Sequence, residues 1–596
     1  MRTHSVPATI TVAPGARLTD AVFAEDRTNG SLVLFQRQTA DGWQPVTAKQ
    51  FAADVRALAA GFIAAGIQPS DRVALLATTS YEWTLVDYAL WTAGAVTVPI
   101  FETSSAEQVR WVLEDASPVG VVVEADKHRQ TVEQVSDVLA EPQKVWQIDA
   151  GGLQELREGG RDVDDAQVQT RRQVVSADDL ATLIYTSGTT GRPKGCMLSH
   201  RNLLYEARVA VDKLDRIFGD EDSTVLFLPL AHVFARVIQV ACVERGVRLA
   251  HSADLGKLPE TLAALQPSFL LAVPRVFERV YNTAQQRAHS DRKGRIFDWA
   301  DKTAVAYSQV LERGQPGLGL RVAHGLSDRL VYGKLRAALG GRVTYAISGG
   351  APLGARLGHF LRGIGVNVLE GYGLTETSAA ATVNLPNAVK IGTVGPPLPG
   401  VEIQLEEDGE ILINGPIRFR GYWRNEQATK DALTDDGWLR TGDLGALDAD
   451  GFLTVTGRKK ELIVTAGGKN VAPALLEDRL RAHPLVSQAV IVGDQKPFIA
   501  ALITLDPEHL EHWKKGAGKP EQAGPAELRD DPDLHAKLQE AVNDVNKSVS
   551  RAESIRKFLV LPVDLTEANG YLTPTLKVKR AMVYKNFADE IEELYR

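Results

Sequence analysis

A chain of 596 residues, 44% hydrophobic and 24% charged, has material for two or more sizeable cores and the composition of a soluble globular protein. Its net charge of -8 argues against nucleic acid as the main partner, since such proteins carry a basic surplus. Two cysteines, Cys196 and Cys242, stand at no metal-ligand spacing, so neither a disulfide framework nor a zinc site is expected, and a reducing, cytoplasmic location suits them.

Residues 1–18 lack the charged, apolar and small-residue regions of a signal peptide. Residues 72–77 (RVALLA) predict a strand after the turn signal Pro69-Ser70-Asp71, and Trp83, Leu85, Val86, Leu90 and Trp91 recur at helical spacing over 81–93. A second strand is expected at 95–100, a helix capped by Ser105 at 105–115, and an apolar strand at 119–123. Apolar strands interleaved with helices mark a sheet covered on both faces, so the fold class is α/β. Residues 225–243 reach the length of a membrane span, but Pro229, His232, Arg236 and Gln239 interrupt them. A buried strand, loop and helix is expected there, and any membrane contact would be peripheral.

About 281–339 the chain turns helical and charged, with a Gly/Pro break at 314–319, and a solvated helical insertion is expected. Short strands between Gly/Pro turns follow from Gly395, at 402–405 and 410–413. Strands at 486–492 and 498–504, and a helix marked by Leu534, Leu538, Val542, Val545 and Val549, predict a smaller α+β terminal domain. The expected division is 1–456 and 457–596.

The strongest local signal is 185–195 (YTSGTTGRPKG), after the apolar run 180–184. Gly188 allows close backbone approach to an anion, Thr186, Ser187, Thr189 and Thr190 donate hydrogen bonds, and Lys194 offsets charge. It is not a Walker A loop, because Pro193 precedes the lysine and Gly195 follows it. Further on come 348–353 (SGGAPL), 370–377 (EGYGLTET), 437–444 (GWLRTGDL), 458–472 (RKKELIVTAGGKNVA) and 572–580 (LTPTLKVKR).

These segments, in this order, resemble the motifs of the adenylate-forming superfamily, which includes acyl-CoA synthetases, luciferases and peptide-synthetase adenylation domains. The segments 229–234 (PLAHVF), 272–278 (AVPRVFE) and 467–473 (GGKNVAP) resemble long-chain fatty-acid–CoA ligases in particular, of the actinobacterial, mycobacterial-like branch. The resemblance implies a large N-terminal domain of layered sheets and helices with a smaller mobile C-terminal domain. It implies adenine along Gly349, Gly350 and Ala351 and against Tyr372, beside Gly373, with phosphate at Thr375 and Mg²⁺ at Glu376 and Thr186. A planar base suits an aromatic face, and Mg²⁺ prefers hard oxygens. Asp443 and Arg458 take the ribose, Lys460 the hinge, and Gly467 the coenzyme A route.

Lys577 takes the place of the adenylation lysine, although Leu576 stands where many relatives have glycine, which keeps Lys579 as a second candidate. His232 is a candidate for the acyl pocket, and the small residues Ala379, Ala380 and Ala381 would leave room for a chain. The implied reaction uses ATP, Mg²⁺ and coenzyme A to turn a long-chain fatty acid into an acyl-adenylate and then acyl-CoA, releasing pyrophosphate and AMP. Alternatives are an acyl-AMP ligase loading a carrier protein, a luciferase-type oxidation, and a non-catalytic nucleotide sensor that would have no need of Lys577 or Gly467.

Overall fold

Strands that are apolar on both sides must be covered on both sides, and the alternation within residues 72–123 supplies that cover. The computed structural model describes residues 2–24, 31–139, 144–186, 192–467, 469–573 and 576–596. Arg72–Leu76, Val96–Ile100 and Gly120–Val123 are parallel strands, separated in sequence by the helices Tyr81–Thr92 and Ala106–Ala116. The second helix starts where expected, with the Ser105 hydroxyl accepting from the Gln108 N–H. The sheet runs Val145–Gln147, Gly120–Val123, Arg72–Leu76, Val96–Ile100, β1 (Leu180–Thr186) and β2 (Lys194–Ser199). Its last pair is antiparallel and the others are parallel.

The interrupted apolar stretch is a strand, Ser223–Leu226, a loop, and a helix, Val233–Arg245. Its arginine explains how the helix tolerates burial. Arg236 is fully buried between the rings of Trp83 and Trp91, pairs with Asp87, and donates to Thr182 Oγ1 at 2.6 Å. A buried charge persists only when paired in this way.

A second sheet orders Phe269–Ala272, Tyr345–Ser348, Asn367–Tyr372 and Thr382–Val383, the first three parallel. Between its first two strands run α1 (Pro274–Ser290), α2 (Gly294–Leu311) and α3 (Leu318–Ser327), then a π-helical turn, Asp328–Tyr332, and the short helix Gly333–Ala338. The helical stretch therefore begins earlier than 281, because Pro274 at a first helical turn opens a helix. Nor is it a solvated excursion: Phe277, Tyr281, Phe297, Ala300 and Tyr332 share a core with Phe360. Charge along the sequence concealed a buried stripe.

Glu402–Leu405, Glu410–Asn414, β3 (Leu439–Leu447) and β4 (Leu453–Arg458) form an antiparallel sheet with Arg2–Ser5 on its edge. Residues from Ile463 onward build separate sheets: the hairpin Ile463–Val464 with Asn470–Val471, and Val486–Val492, Ile499–Leu505 and Ile555–Val560. The helix Pro532–Asn546 buries Leu534, Leu538, Val542 and Val545 against them. Val549 lies beyond its end and packs beside the same core. Among the described residues, no helix is long and apolar enough to cross a membrane.

Candidate active site

The segment expected to bind phosphate is flanked by two paired strands. β1 and β2 pair antiparallel up to Thr186 opposite Lys194. Ser187, Gly188, Thr189 and Thr190 lie outside the described residues. The base of the hairpin is anchored: Trp111 Nε1–H donates to the Pro193 carbonyl at 2.8 Å, Arg192 lies 4.6 Å over the Trp111 ring, and Tyr185 donates to Asp115 at 2.5 Å.

Beside this hairpin the chain brings together an acid, a cation and a phenol from three segments. Tyr422 donates to Glu376 Oε1 at 2.7 Å, and Lys194 Nζ stands 5.0 Å over the Tyr422 ring. Main-chain bonds from Met197 N to Gly421 O and from Trp423 N to Gly195 O lock residues 419–423 along β2, and Phe419 N donates to Glu376 O. Thr186 Oγ1 lies 3.8 Å from Cys196 Sγ. Burial pushes the Cys196 thiol up, and the Glu376 carboxylate adds to the effect. The donor set suits Mg²⁺: a carboxylate and a hydroxyl at the root of the phosphate hairpin, both hard oxygens. The acidic trio Glu406, Asp408 and Glu410 also converges, but the Lys459 ammonium fills it at 2.5 Å from Asp408 and 2.8 Å from Glu410.

The expected nucleotide residues cluster at the ends of the second sheet. Gly349 and Gly350 follow the strand Tyr345–Ser348, with Ala351 exposed beyond them. A side chain at Gly349 would meet the Phe234 ring at 3.4 Å. Gly373 is fixed more tightly, because an added Cβ would sit 1.7 Å from the Ala379 carbonyl oxygen. Ala379 and Ala381 are buried with Ala380 packed beside them, so these small residues belong to the core rather than to a demonstrated channel. Glu370 accepts from the Leu353 N–H at 2.9 Å, and burial raises its carboxyl to about 7. Thr375 is buried in a single turn of 3-10 helix.

Asp443, buried on β3, draws two side chains close. It accepts from the Tyr372 hydroxyl at 2.7 Å and from Arg458 Nε at 2.9 Å. Arg458 faces it across the sheet, since Asp443 on β3 and Arg458 on β4 are register partners. Burial and the adjacent Asp443 charge push the Tyr372 phenol well up.

The C-terminal residues reach the same place. Lys577 keeps part of its surface exposed but is crowded by protein, and this loss of hydration lowers its pKa. Arg458 lowers it further, against the opposing charges of Asp443, Glu461 and Glu376. His232 caps the helix Val233–Arg245 by accepting from Phe234 N, and burial followed by the Lys577 charge brings it to about 4. Leu576 has φ of 61°, the left-handed conformation that favours glycine. Lys579 instead stands at the N-terminal boundary of the helix Arg580–Asn586, without a side-chain capping bond. Lys460 occupies the 3-10 turn after β4, and Gly467 the open hairpin turn beyond it.

Tyr422 joins this arrangement from outside the quoted segments, while Glu370 and Glu461 lie within 370–377 and 458–472 but had no role read from them. Their parts become visible only when folding brings Tyr422 to Glu376, Glu370 to Leu353 and Glu461 to Lys577.

The AMP-binding enzyme family matches residues 24–423, and the AMP-binding enzyme C-terminal domain matches residues 460–596. The chain is 52% identical over 598 residues to the long-chain-fatty-acid–CoA ligase FadD15 of Mycobacterium tuberculosis, covering 100% of each. It is 32% identical over 611 residues to the long-chain-fatty-acid–CoA ligase ACSBG2 of Xenopus laevis, covering 95% of this chain and 82% of that one. Among solved structures, ATP-bound MatB from Rhodopseudomonas palustris is similar at a TM-score of 0.71 and 25% identity, covering 97% of this chain and 99% of that one. The likeness extends through both the large and the small domain, and the chain therefore belongs to the AMP-binding enzymes, the adenylate-forming group to which its motifs point.

Proposed function

We propose that the chain is a long-chain fatty-acid–CoA ligase that works in two half-reactions at one cleft. The observation that carries this reading is the arrival of Lys577 beside Arg458, Asp443 and Glu376, from the other end of the sequence. A fatty carboxylate attacks the α-phosphate of ATP, pyrophosphate leaves, and the acyl-adenylate remains. Lys577 and Lys194 offset the developing negative charge, while Asp443 and Arg458 orient the ribose and Tyr372 the base. Positioning and electrostatic stabilisation carry this step. Glu376 and Thr186 would hold Mg²⁺, which neutralises phosphate charge when bound.

In the second half-reaction the domain beginning at residue 457 turns about Lys460. Lys577 withdraws and the Gly467 hairpin opens a route for the coenzyme A thiol, which attacks the mixed anhydride and displaces AMP. His232, neutral near pH 7 because burial holds it at about 4, stands next to Lys577 and adds no competing cation where the carboxylate enters. The buried free thiols Cys196 and Cys242 suit a reducing compartment, and we place the enzyme in the cytoplasm.

Incubation with ATP, Mg²⁺, coenzyme A and a fatty-acid series tests the reading. Acyl-CoA with a maximum at long chains is expected. Accumulating acyl-AMP without thioester would instead make the acceptor a carrier protein. Lys577→Ala is expected to lose adenylate formation while retaining thioester formation from supplied acyl-adenylate, and equal loss of both would refute the division of labour.

A further inference from the structure

The outer face of α3 has no partner within the described chain. Leu318, Val322, Leu326 and Leu330, each four residues from the last, are 78%, 65%, 51% and 43% exposed. This spacing puts them on one face. Cβ atoms added at Gly319 and Gly325 would meet nothing within 4 Å, so the helix face is open. Exposed apolar side chains occurring singly need no explanation, whereas a continuous helical stripe does.

The charges around the stripe say what covers it. Between Leu318 and Arg342 the chain has five cations, Arg321, Arg329, Lys334, Arg336 and Arg342, against one acid, Asp328. Asp328 is already paired with Arg336 at 2.7 Å. This segment is therefore +4 in a chain of -8, which leaves -12 elsewhere. Arg329 and Lys334 form no ion pair among the described residues. A second copy meeting this face through a two-fold axis would set cations against cations. An anionic lipid surface offers the complement to both features, acyl chains for the leucines and phosphates for the arginines.

We propose that α3 and the turn after it dock the enzyme on anionic lipid bilayers, with the Leu318–Val322–Leu326–Leu330 stripe entering the headgroup boundary and Arg321, Arg329 and Lys334 at the phosphates. The helix is ten residues long, so it lies on the surface and does not span it. Through α1 and α2 it connects to the strand Phe269–Ala272 beside the cleft, so docking presents the site to the phase where long acyl chains concentrate. The docking is independent of catalysis and deepens the ligase reading only in where the substrate is collected.

The test is co-sedimentation of the full chain, without substrates, with phosphatidylcholine vesicles and with vesicles containing phosphatidylglycerol. Binding to the anionic vesicles is expected, at least tenfold weakened in Leu318→Asp/Val322→Asp/Leu326→Asp and in Arg321→Glu/Arg329→Glu. Both variants change exposed side chains, and a retained melting temperature verifies that they fold. Equal binding to neutral and anionic vesicles, unchanged binding by either variant, or a dimer of the wild type that the aspartates dissolve would overturn the proposal.

Discussion

Reversing one charge on α1 should separate the two half-reactions kinetically. Arg279 on α1 faces Glu508, on α4 (Pro507–Ala517) of the small domain, at 3.1 Å, and both side chains are largely exposed. Arg275 reaches Asp506 at 3.8 Å, but it is shared with Glu278, and Asp506 is shared with His509. Exposed pairs are worth about 0.2–1 kcal/mol. Arg279→Glu replaces attraction by repulsion, so the orientation that brings Lys577 to Asp443 should lose about 1 kcal/mol, roughly a fivefold shift in population. Stopped-flow pyrophosphate release would read the adenylation half and thioester formation from supplied acyl-adenylate the other. Adenylation should slow up to about fivefold while thioester formation does not, with the difference shrinking at high salt. The charge swap Arg279→Glu/Glu508→Arg should restore the wild-type ratio. Equal slowing of both halves, or a swap that restores nothing, would refute the role of this interface.

Asp87→Ala should destabilise the large domain by about 3–5 kcal/mol, read by chemical denaturation, because it strands the fully buried Arg236 guanidinium. Glu370 has a folded-state pKa of about 7, above its ordinary 4.5, so the folded form holds the proton more tightly. Its contribution is full below about pH 4.5 and is lost as pH rises through about 7. Glu370→Gln should flatten that fall, gaining on the order of 2–3 kcal/mol over wild type at pH 8 by denaturation at several pH values. A variant that follows the wild-type slope would show that another group titrates.

The strands and helices of residues 72–123 were legible because a covered sheet demands uninterrupted apolar runs, and the motif segments were legible because glycines and hydroxyls cluster where backbone must approach an anion. The helical stretch was misjudged for a physical reason: its charged residues dominate the sequence, while Phe277, Tyr281 and Phe297 are spaced around turns and reveal themselves only on the buried side. Of the candidate site, Glu376 and Asp443 stood out within their motifs, but Tyr422 lay outside the motifs and Glu370, inside one, had no role read from it. Their roles come from contacts across 46 and 17 residues, and no local pattern encodes such a meeting.

Asp443 and Arg458 are opposite one another on adjacent strands, and Lys460 follows Arg458 by two residues. Two residues of extended chain span only about 7 Å. The proposed ribose contacts and the proposed axis of domain rotation are thus parts of one short lever. A substitution at Arg458 will change how firmly the ribose is held and, through the same backbone, how freely the small domain turns. Binding constants and turnover numbers from such variants will move together, and the two effects separate only when nucleotide affinity is measured with the domain orientation held constant.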